Sequence, residues 1–359
     1  MKDNYRKLGE IVKLVDERNK SLVSTEVLGI SIDKEFMPSV ANTIGTDLSN
    51  YKLLKKNRFA CNPMHVGRDE RLPVSLYNKE IPAIVSPAYF MFEIVDTKSV
   101  LPDYLMLNFK RKDFDRNCWF RTDGSVRGGI AWDDLCELEL PVPDLAEQQR
   151  IVNAYNTVDR RIRLLQQINE KLEATAQCLF EEALSKKENF YDSTLEEVCN
   201  ITTGGLNSED ATSNGRYPFF TCSQETYKTD SYAFDQEAVL LAGNNASAIY
   251  PLKIFEGKFN AYQRTYVISS RNNFVTNKQI FLSLKQKLSE FREVSLGTTT
   301  KFLTMKILNP IPIKIPKENI AKSFNNKLNI LFSQIKENEI EITRLLDLRQ
   351  LIISRISGM

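Results

Sequence analysis

At 359 residues, with 42% hydrophobic and 26% charged residues, the chain is long enough for two domains with their own cores, and its composition excludes a disordered or fibrous protein. No apolar run approaches the length of a bilayer crossing and Met1-Lys2-Asp3-Asn4-Tyr5 is too polar for a signal peptide, so no membrane association and a cytoplasmic location are expected. A net charge of +2 excludes a globally basic nucleic-acid binder and leaves such contacts to local patches.

In chain order, the first such patch is Lys52, Lys55, Lys56, Arg58, Arg68, Arg71 and Lys79, a stretch whose only acids are Asp69 and Glu70. Taken alone it reads as solvated surface; a DNA-facing patch is the alternative. Strand-forming residues follow from Ile84-Val85 to Phe92-Glu93-Ile94, then an inner helix is expected near residues 103–116. Trp119 and Trp132 read as core residues. Pro141-Val142-Pro143 stops a strand and a long helix opens near Glu147.

The second half repeats the first. Leu8-Gly9-Glu10-Ile11-Val12 resembles Leu195-Glu196-Glu197-Val198-Cys199 at an offset of 187 residues. Gly124-Ser125, Ile130 and Pro143 return as Gly297-Thr298, Leu303 and Pro316 at an offset of 173. Between these lie strand candidates Ala238-Val239-Leu240-Leu241 and Tyr262 to Ile268, and an inner helix near residues 277–292. Gly128-Gly129 and Gly204-Gly205 read as turns that need positive φ. The six cysteines are scattered, without the spacing of a zinc or redox motif, and read as reduced and mostly buried.

Both long helices carry a heptad seam. The first runs through Ile151, Tyr155, Val158, Ile162, Leu165, Asn169, Leu172, Ala176, Leu179 and Ala183; the second through Phe324, Leu328, Leu331, Ile335, Asn338, Ile342, Leu345, Arg349, Ile352 and Ile356. If the helices run antiparallel with paired positions summing to 507, Asn169 faces Asn338, Leu165 faces Ile342, Ile162 faces Leu345, and small residues oppose large ones at Ala176–Leu331 and Ala183–Phe324. A buried amide pair fixes that register, because a slip leaves each amide against hydrocarbon. Arg349 opposite Val158 is the imperfect layer, with its guanidinium expected to reach outward. The alternative is that each helix docks on its own domain. The expected fold is mixed α/β (α+β): two tandem domains and two long helices forming an antiparallel coiled coil about 50 Å long at ~1.5 Å per residue, with an internal pseudo-two-fold duplication.

The pattern resembles the specificity (S) subunits of type I restriction-modification systems over essentially the whole chain. The likeness rests on Asn62-Pro63-Met64-His65-Val66-Gly67-Arg68-Asp69-Glu70, Ile84-Val85-Ser86-Pro87-Ala88-Tyr89, Trp119-Phe120, Ser125-Val126-Arg127-Gly128-Gly129, and the junction from Leu140-Pro141-Val142-Pro143 to Glu147-Gln148-Gln149-Arg150-Ile151-Val152. Phe259-Asn260-Ala261-Tyr262-Gln263-Arg264-Thr265-Tyr266-Val267 holds the comparable place in the second copy. The resemblance implies target-recognition domains at 1–145 and 187–318 and conserved helical regions at 146–186 and 319–359. It implies a non-catalytic subunit that reads a bipartite, asymmetric site in double-stranded DNA, binds two methyltransferase (M) subunits, and is joined by restriction/translocase (R) subunits. S-adenosylmethionine, ATP and Mg²⁺ would then belong to those partners, with no cofactor, metal or catalytic centre on this chain.

Base reading needs Arg for guanine and Asn or Gln for adenine, with Lys and hydroxyls on phosphates. The candidates are Asn62, His65, Arg68, Arg71, Ser125 and Arg127 in the first copy, and Asn244, Asn245, Tyr262, Gln263, Arg264, Thr299 and Lys301 in the second. Each also has a plain structural reading, such as His65 satisfying a loop carbonyl or Arg68 pairing with Asp69. A stand-alone adenine methyltransferase would need a glycine-rich cofactor loop and an Asn-Pro-Pro-aromatic tetrad; Asn62-Pro63-Met64-His65 and Asn309-Pro310-Ile311-Pro312 match it only in part. A purely structural coiled-coil protein is the third reading.

Overall fold

The computed structural model describes residues 4–40, 45–64, 66–122, 128–295, 297, 301–356 and 358. They divide into two compact units, Met1–Leu164 with Ile342–Met359, and Leu165–Glu341.

The first unit opens with β1 (Tyr5–Lys7), a single helical turn α1 (Leu8–Ile11) and β2 (Val12–Leu14). The turn has no side-chain cap and is held by burial of Leu8 and Ile11. Then come β3 (Val27–Ile30), β4 (Phe36–Pro38), β5 (Lys52–Leu54), β6 (Phe59–Cys61), α2 (Val66–Asp69), β7 (Val74–Leu76), β8 (Ala83–Val85) and β9 (Phe90–Ile94). They form two four-stranded sheets, ordered β2-β9-β6-β7 and β4-β3-β8-β5. The apolar run from Ile84 to Ile94 is therefore two strands in different sheets. A turn closed by the Tyr89 amide on the Ser86 carbonyl at 3.1 Å separates them.

The core of this unit is aromatic: Phe59 and Phe92 stack with centroids 5.2 Å apart, and Phe109 meets both edge-on. Phe109 ends α3 (Pro102–Phe109), which α4 (Lys112–Phe120) follows. These two helices replace the single one expected over 103–116. The break lies at Arg111, whose backbone is extended and whose buried guanidinium donates to Asn108 Oδ1 at 2.9 Å and to Asp113. After α5 (Trp132–Cys136), β10 (Glu139–Pro141) returns antiparallel to β1 and closes the domain. The helix α6 (Leu145–Ser185) begins there. Gln148 clamps its start: the fully buried amide donates to the Ser99 and Pro143 carbonyls and accepts from the Leu101 amide.

The second unit repeats this plan. β11 (Phe190–Thr194), α7 (Leu195–Val198) and β12 (Cys199–Thr203) match β1-α1-β2, here with the Thr194 amide donating to the Glu197 carboxylate at 3.0 Å. β13 (Tyr217–Phe220), β14 (Thr226–Thr229), β15 (Phe234–Ala242), β16 (Asn244–Asn245), β17 (Leu252–Ala261) and β18 (Thr265–Ser270) follow. One six-stranded sheet, β12-β18-β15-β17-β13-β14, results. The strand expected from Tyr262 begins only at Thr265, because Tyr262 to Arg264 form a turn closed by the Thr265 amide on the Tyr262 carbonyl at 2.8 Å. α8 (Asn277–Val294), β19 (Lys301–Phe302), α9 (Met305–Leu308), β20 (Pro312–Pro316) and α10 (Glu318–Ile356) complete the chain. β20 pairs with β11 as β10 does with β1.

Within each unit the long helices run antiparallel. In the first, Ile151, Val152 and Tyr155 of α6 pack with Ile352, Ile353 and Ile356 of α10, and Tyr104 and Leu107 of α3 seal the cluster. The Arg349 guanidinium, half-buried, donates to Asp159 Oδ1 at 2.8 Å, and Asp159 also holds Arg163. In the second, Ala176 and Phe180 join Phe324, Leu328 and Leu331 in the core of the domain itself, and Asn338 donates to Asn169 at 2.7 Å. The helices thus pack on one another and on the domain beside them. Ile162 and Leu165 are buried; Ile342 and Leu345 are half-buried. None of the described helices is long and apolar enough to cross a membrane.

Candidate nucleic-acid interface

The paired strands β6 and β9 end with Cys61 opposite Phe90; β15 and β18 end with Ala242 opposite Thr265. The loop after each is strapped to the segment before the next short helix. In the first unit the Ile130 amide donates to the Pro63 carbonyl at 3.1 Å and the Gly67 amide to the Gly128 carbonyl at 3.0 Å. In the second the Leu303 amide donates to the Gly243 carbonyl at 2.9 Å, and β16 pairs with β19. Ile130 and Leu303 are related by the 173-residue offset, so the duplication builds the same convergence twice. The straps pair backbone groups of these loops with one another.

Gly129 and Gly204 each sit against a neighbouring backbone carbonyl, and neither has positive φ. A Cβ on Gly204 would lie 1.8 Å from the Ala261 carbonyl oxygen, and one on Gly129 3.1 Å from that of Pro63. The turns expected at Gly128-Gly129 and Gly204-Gly205 are therefore places of backbone contact. The positive-φ glycines among the described residues are Gly45, Gly257 and Gly297.

In the second unit the structure gathers Asn244, Asn245, Arg264 and Lys301 around β16 and β19, with Tyr262 and Gln263 on the adjoining turn. The Arg264 guanidinium stands over the Phe302 ring, 5.5 Å from its centroid, which orients an exposed cation at low entropic cost. Gln263 Nε2 donates to Asn207 Oδ1 at 2.9 Å, and Asn245 Oδ1 accepts the Ser247 amide at 2.8 Å. The amide oxygen of Asn244 is buried without a hydrogen-bond partner among the described residues. Below them, burial pushes the Tyr266 phenol up, and its hydroxyl donates to the Leu303 carbonyl at 2.9 Å.

In the first unit Asn62 is half-buried, its side-chain oxygen accepting the Met64 amide at 3.1 Å. Burial raises the pKa of Tyr89 beside it. Arg68 is exposed and forks onto Asp69 at 2.6 and 2.9 Å, bonds that hold its guanidinium above its ordinary value. Arg71 stands apart from this loop: it faces Asp33 at 3.4 Å and lines a cleft of about 510 Å³ with Lys34, Lys110, Asp159 and Arg349. His65, Ser125, Arg127 and Thr299 lie outside the described residues.

The basic stretch from Lys52 to Lys79 is neutralised by acids that the fold brings to it. Lys52 meets Asp16, Lys55 and Arg58 meet Glu17, Lys56 meets Glu80, Arg71 meets Asp33 and Lys79 meets Glu26. Sequence reasoning also missed Phe302 and Asn207, which hold Arg264 and Gln263. Nothing in local composition signals them, since both act across the strand pairing. Trp119, expected in the core, is 42% exposed, whereas Trp132 packs on Phe90 and Phe92.

The sequence model of the type I restriction modification DNA specificity domain matches residues 3–174 and again residues 187–344. The chain belongs to this family. Among relatives of this specificity-domain chain, the type I restriction enzyme EcoDI specificity subunit of Escherichia coli is 31% identical over 151 residues, 42% of this chain and 33% of that one. The chain thus spans about a third of that relative's length. The MjaIX specificity subunit of Methanocaldococcus jannaschii is 23% identical over 302 residues, 73% of this chain and 70% of that protein. A crystal structure of the S subunit of a type I restriction-modification system from M. genitalium shares the fold, with a TM-score of 0.58 and 16% identity over 98% of this chain and 95% of that one.

Proposed function

We propose that this specificity-domain chain is the DNA-reading subunit of a type I restriction-modification methyltransferase. Each recognition domain, at 1–145 and 187–318, reads one half of a bipartite, asymmetric duplex site. The helical regions at 146–186 and 319–359 set the gap between the halves and recruit two methyltransferase subunits. Restriction/translocase subunits join for cleavage. The chain itself carries out no chemistry; S-adenosylmethionine, ATP and Mg²⁺ act on the partner subunits, and the assembly works in the cytoplasm.

The observation that carries this reading is the strapped loop cluster present once per unit, rich in Asn, Gln and Arg. Such side chains pair bidentately with adenine and guanine edges. Two unlike clusters from one duplicated plan suit a site whose halves differ in sequence. Asn62, His65, Arg68, Arg71, Ser125 and Arg127 serve one half; Asn244, Asn245, Tyr262, Gln263, Arg264, Thr299 and Lys301 serve the other.

The test combines the purified chain with a methyltransferase subunit, labelled S-adenosylmethionine and random duplex DNA, and maps methylated adenines. Methylation at a bipartite sequence only in the mixture supports the proposal. Methylation by the chain alone would favour a stand-alone enzyme, and none in either case a purely structural protein. Removing one heptad from each long helix is expected to change the gap and leave both half-site sequences intact.

A further inference from the structure

We propose that Trp119 and Phe120 form an aromatic wedge that presses into a base step of the half-site held by the first unit; this rests on the DNA-reading function proposed above. Phe120 is 87% exposed, the largest exposure of any aromatic side chain among the described residues, and Trp119 beside it is 42% exposed. Both end α4, whose opposite face buries Phe114, Asp115 and Cys118. The Thr122 hydroxyl donates to the Trp119 carbonyl at 2.8 Å and ties off the helix, so the two rings stand on an ordered terminus. Water-exposed rings of this size are unfavourable, and singly they need no explanation; two adjacent ones at a helix end do.

Their place and their charge both favour DNA as the occupant. α4 packs on α2, and Val66 and Cys118 share one core. α2 contains Arg68 and the Gly67 amide that straps Gly128, so the helix that carries the rings is anchored beside the loop cluster, with the rings on its outer face. Arg116 and Arg121, on either side of the pair, are exposed and form no ion pair among the described residues. That sets them apart from the cations of Lys52 to Lys79 named above, which acids neutralise. Unpaired guanidinium groups beside bare rings suit a duplex, with phosphates taking the cations while an apolar side chain unstacks a step and kinks the helix axis. Flexible pyrimidine–purine steps yield most readily. At the offset of 173 residues the second unit carries Arg292-Glu293-Val294, with no aromatic residue, so the wedge belongs to one half-site only.

The experiment uses the full chain, alone and with a type I methyltransferase subunit, and a duplex that the wild-type chain selects from a random pool. 2-Aminopurine is scanned through the duplex as a reporter of unstacking. Wild type should brighten one step in one half-site. Phe120→Ala should erase that signal and weaken binding roughly ten- to hundredfold, the range of a lost base–aromatic stack. Phe120→Leu should recover part of both, and circular dichroism should report unchanged folding. Unaltered affinity and signal in Phe120→Ala overturn the wedge while leaving the reading function intact. Loss of the methyltransferase subunit with duplex binding unchanged overturns it in favour of a protein-docking role. If wild type selects no duplex, the DNA-reading function falls and the wedge with it.

Discussion

Asn338 Nδ2 donates to Asn169 Oδ1 at 2.7 Å, and Asn338 Oδ1 accepts from Gln334 Nε2 at 3.1 Å one turn away. Asn338 is 5% exposed, so this amide has exchanged water for two protein partners. Asn338→Ala should lower stability by about 1–2 kcal/mol by leaving Asn169 half-satisfied, read as a shifted urea midpoint. Replacing both with Leu should recover that stability while weakening register, seen as faster amide exchange along the helices. An unshifted midpoint in the single variant would show that the pair has no structural weight.

Lys34 is a second buried polar group with its partners in place. Its ammonium donates to Asp115 Oδ1 at 2.6 Å and the Leu72 carbonyl at 2.8 Å, and lies 5.6 Å from the Phe114 ring centroid. Lys34→Met strands a buried carboxylate and should cost about 3–5 kcal/mol. Chemical denaturation measures it; a cost below about 1 kcal/mol, typical of surface pairs, would contradict the burial argument.

Gly204 and Gly205 separate close approach from turn geometry. Gly204→Ala drives a methyl group into the Ala261 carbonyl, whereas a Cβ on Gly205 meets nothing within 4 Å. The first should destabilise by about 1–3 kcal/mol, as overpacking does; the second should be near neutral. Equal thermal shifts for the two variants would refute the distinction.

Under the proposed function, Arg264→Ala should relax base preference in one half-site and leave the other unchanged. A discrimination loss of about 1–3 kcal/mol is expected if the guanidinium reads a guanine. Lys301→Ala should instead weaken all sequences alike and reduce the salt slope of binding by about one. Selection from random duplexes at two salt concentrations distinguishes them. Relaxation in both half-sites for Arg264→Ala would deny the assignment of one unit to one half.

The duplication was legible because it is a pattern in one dimension: Leu8 and Leu195 sit on equivalent turns, and Ile130 and Leu303 make equivalent straps. Elements inside the domains were read less well. The inner helix near Arg111 breaks because that guanidinium turns back to Asn108 and Asp113, contacts that no periodicity records. Of the candidate interface, the loops were legible from glycine, proline and amide-rich strings. The partners that orient them, Phe302 under Arg264 and Asn207 beside Gln263, were not.

The sequence by itself determined the two-copy plan, the long helices and the spacing of their apolar seams, since helix period and repeat offset depend only on near neighbours along the chain. Tertiary structure alone decided which charges are free and which rings are bare. Glu17 reaches Lys55 and Arg58, and Asp33 reaches Arg71, only because sheet pairing brings distant strands together. Phe120 is left outside because its helix buries the opposite face. Charge neutralisation and burial are properties of neighbours in space.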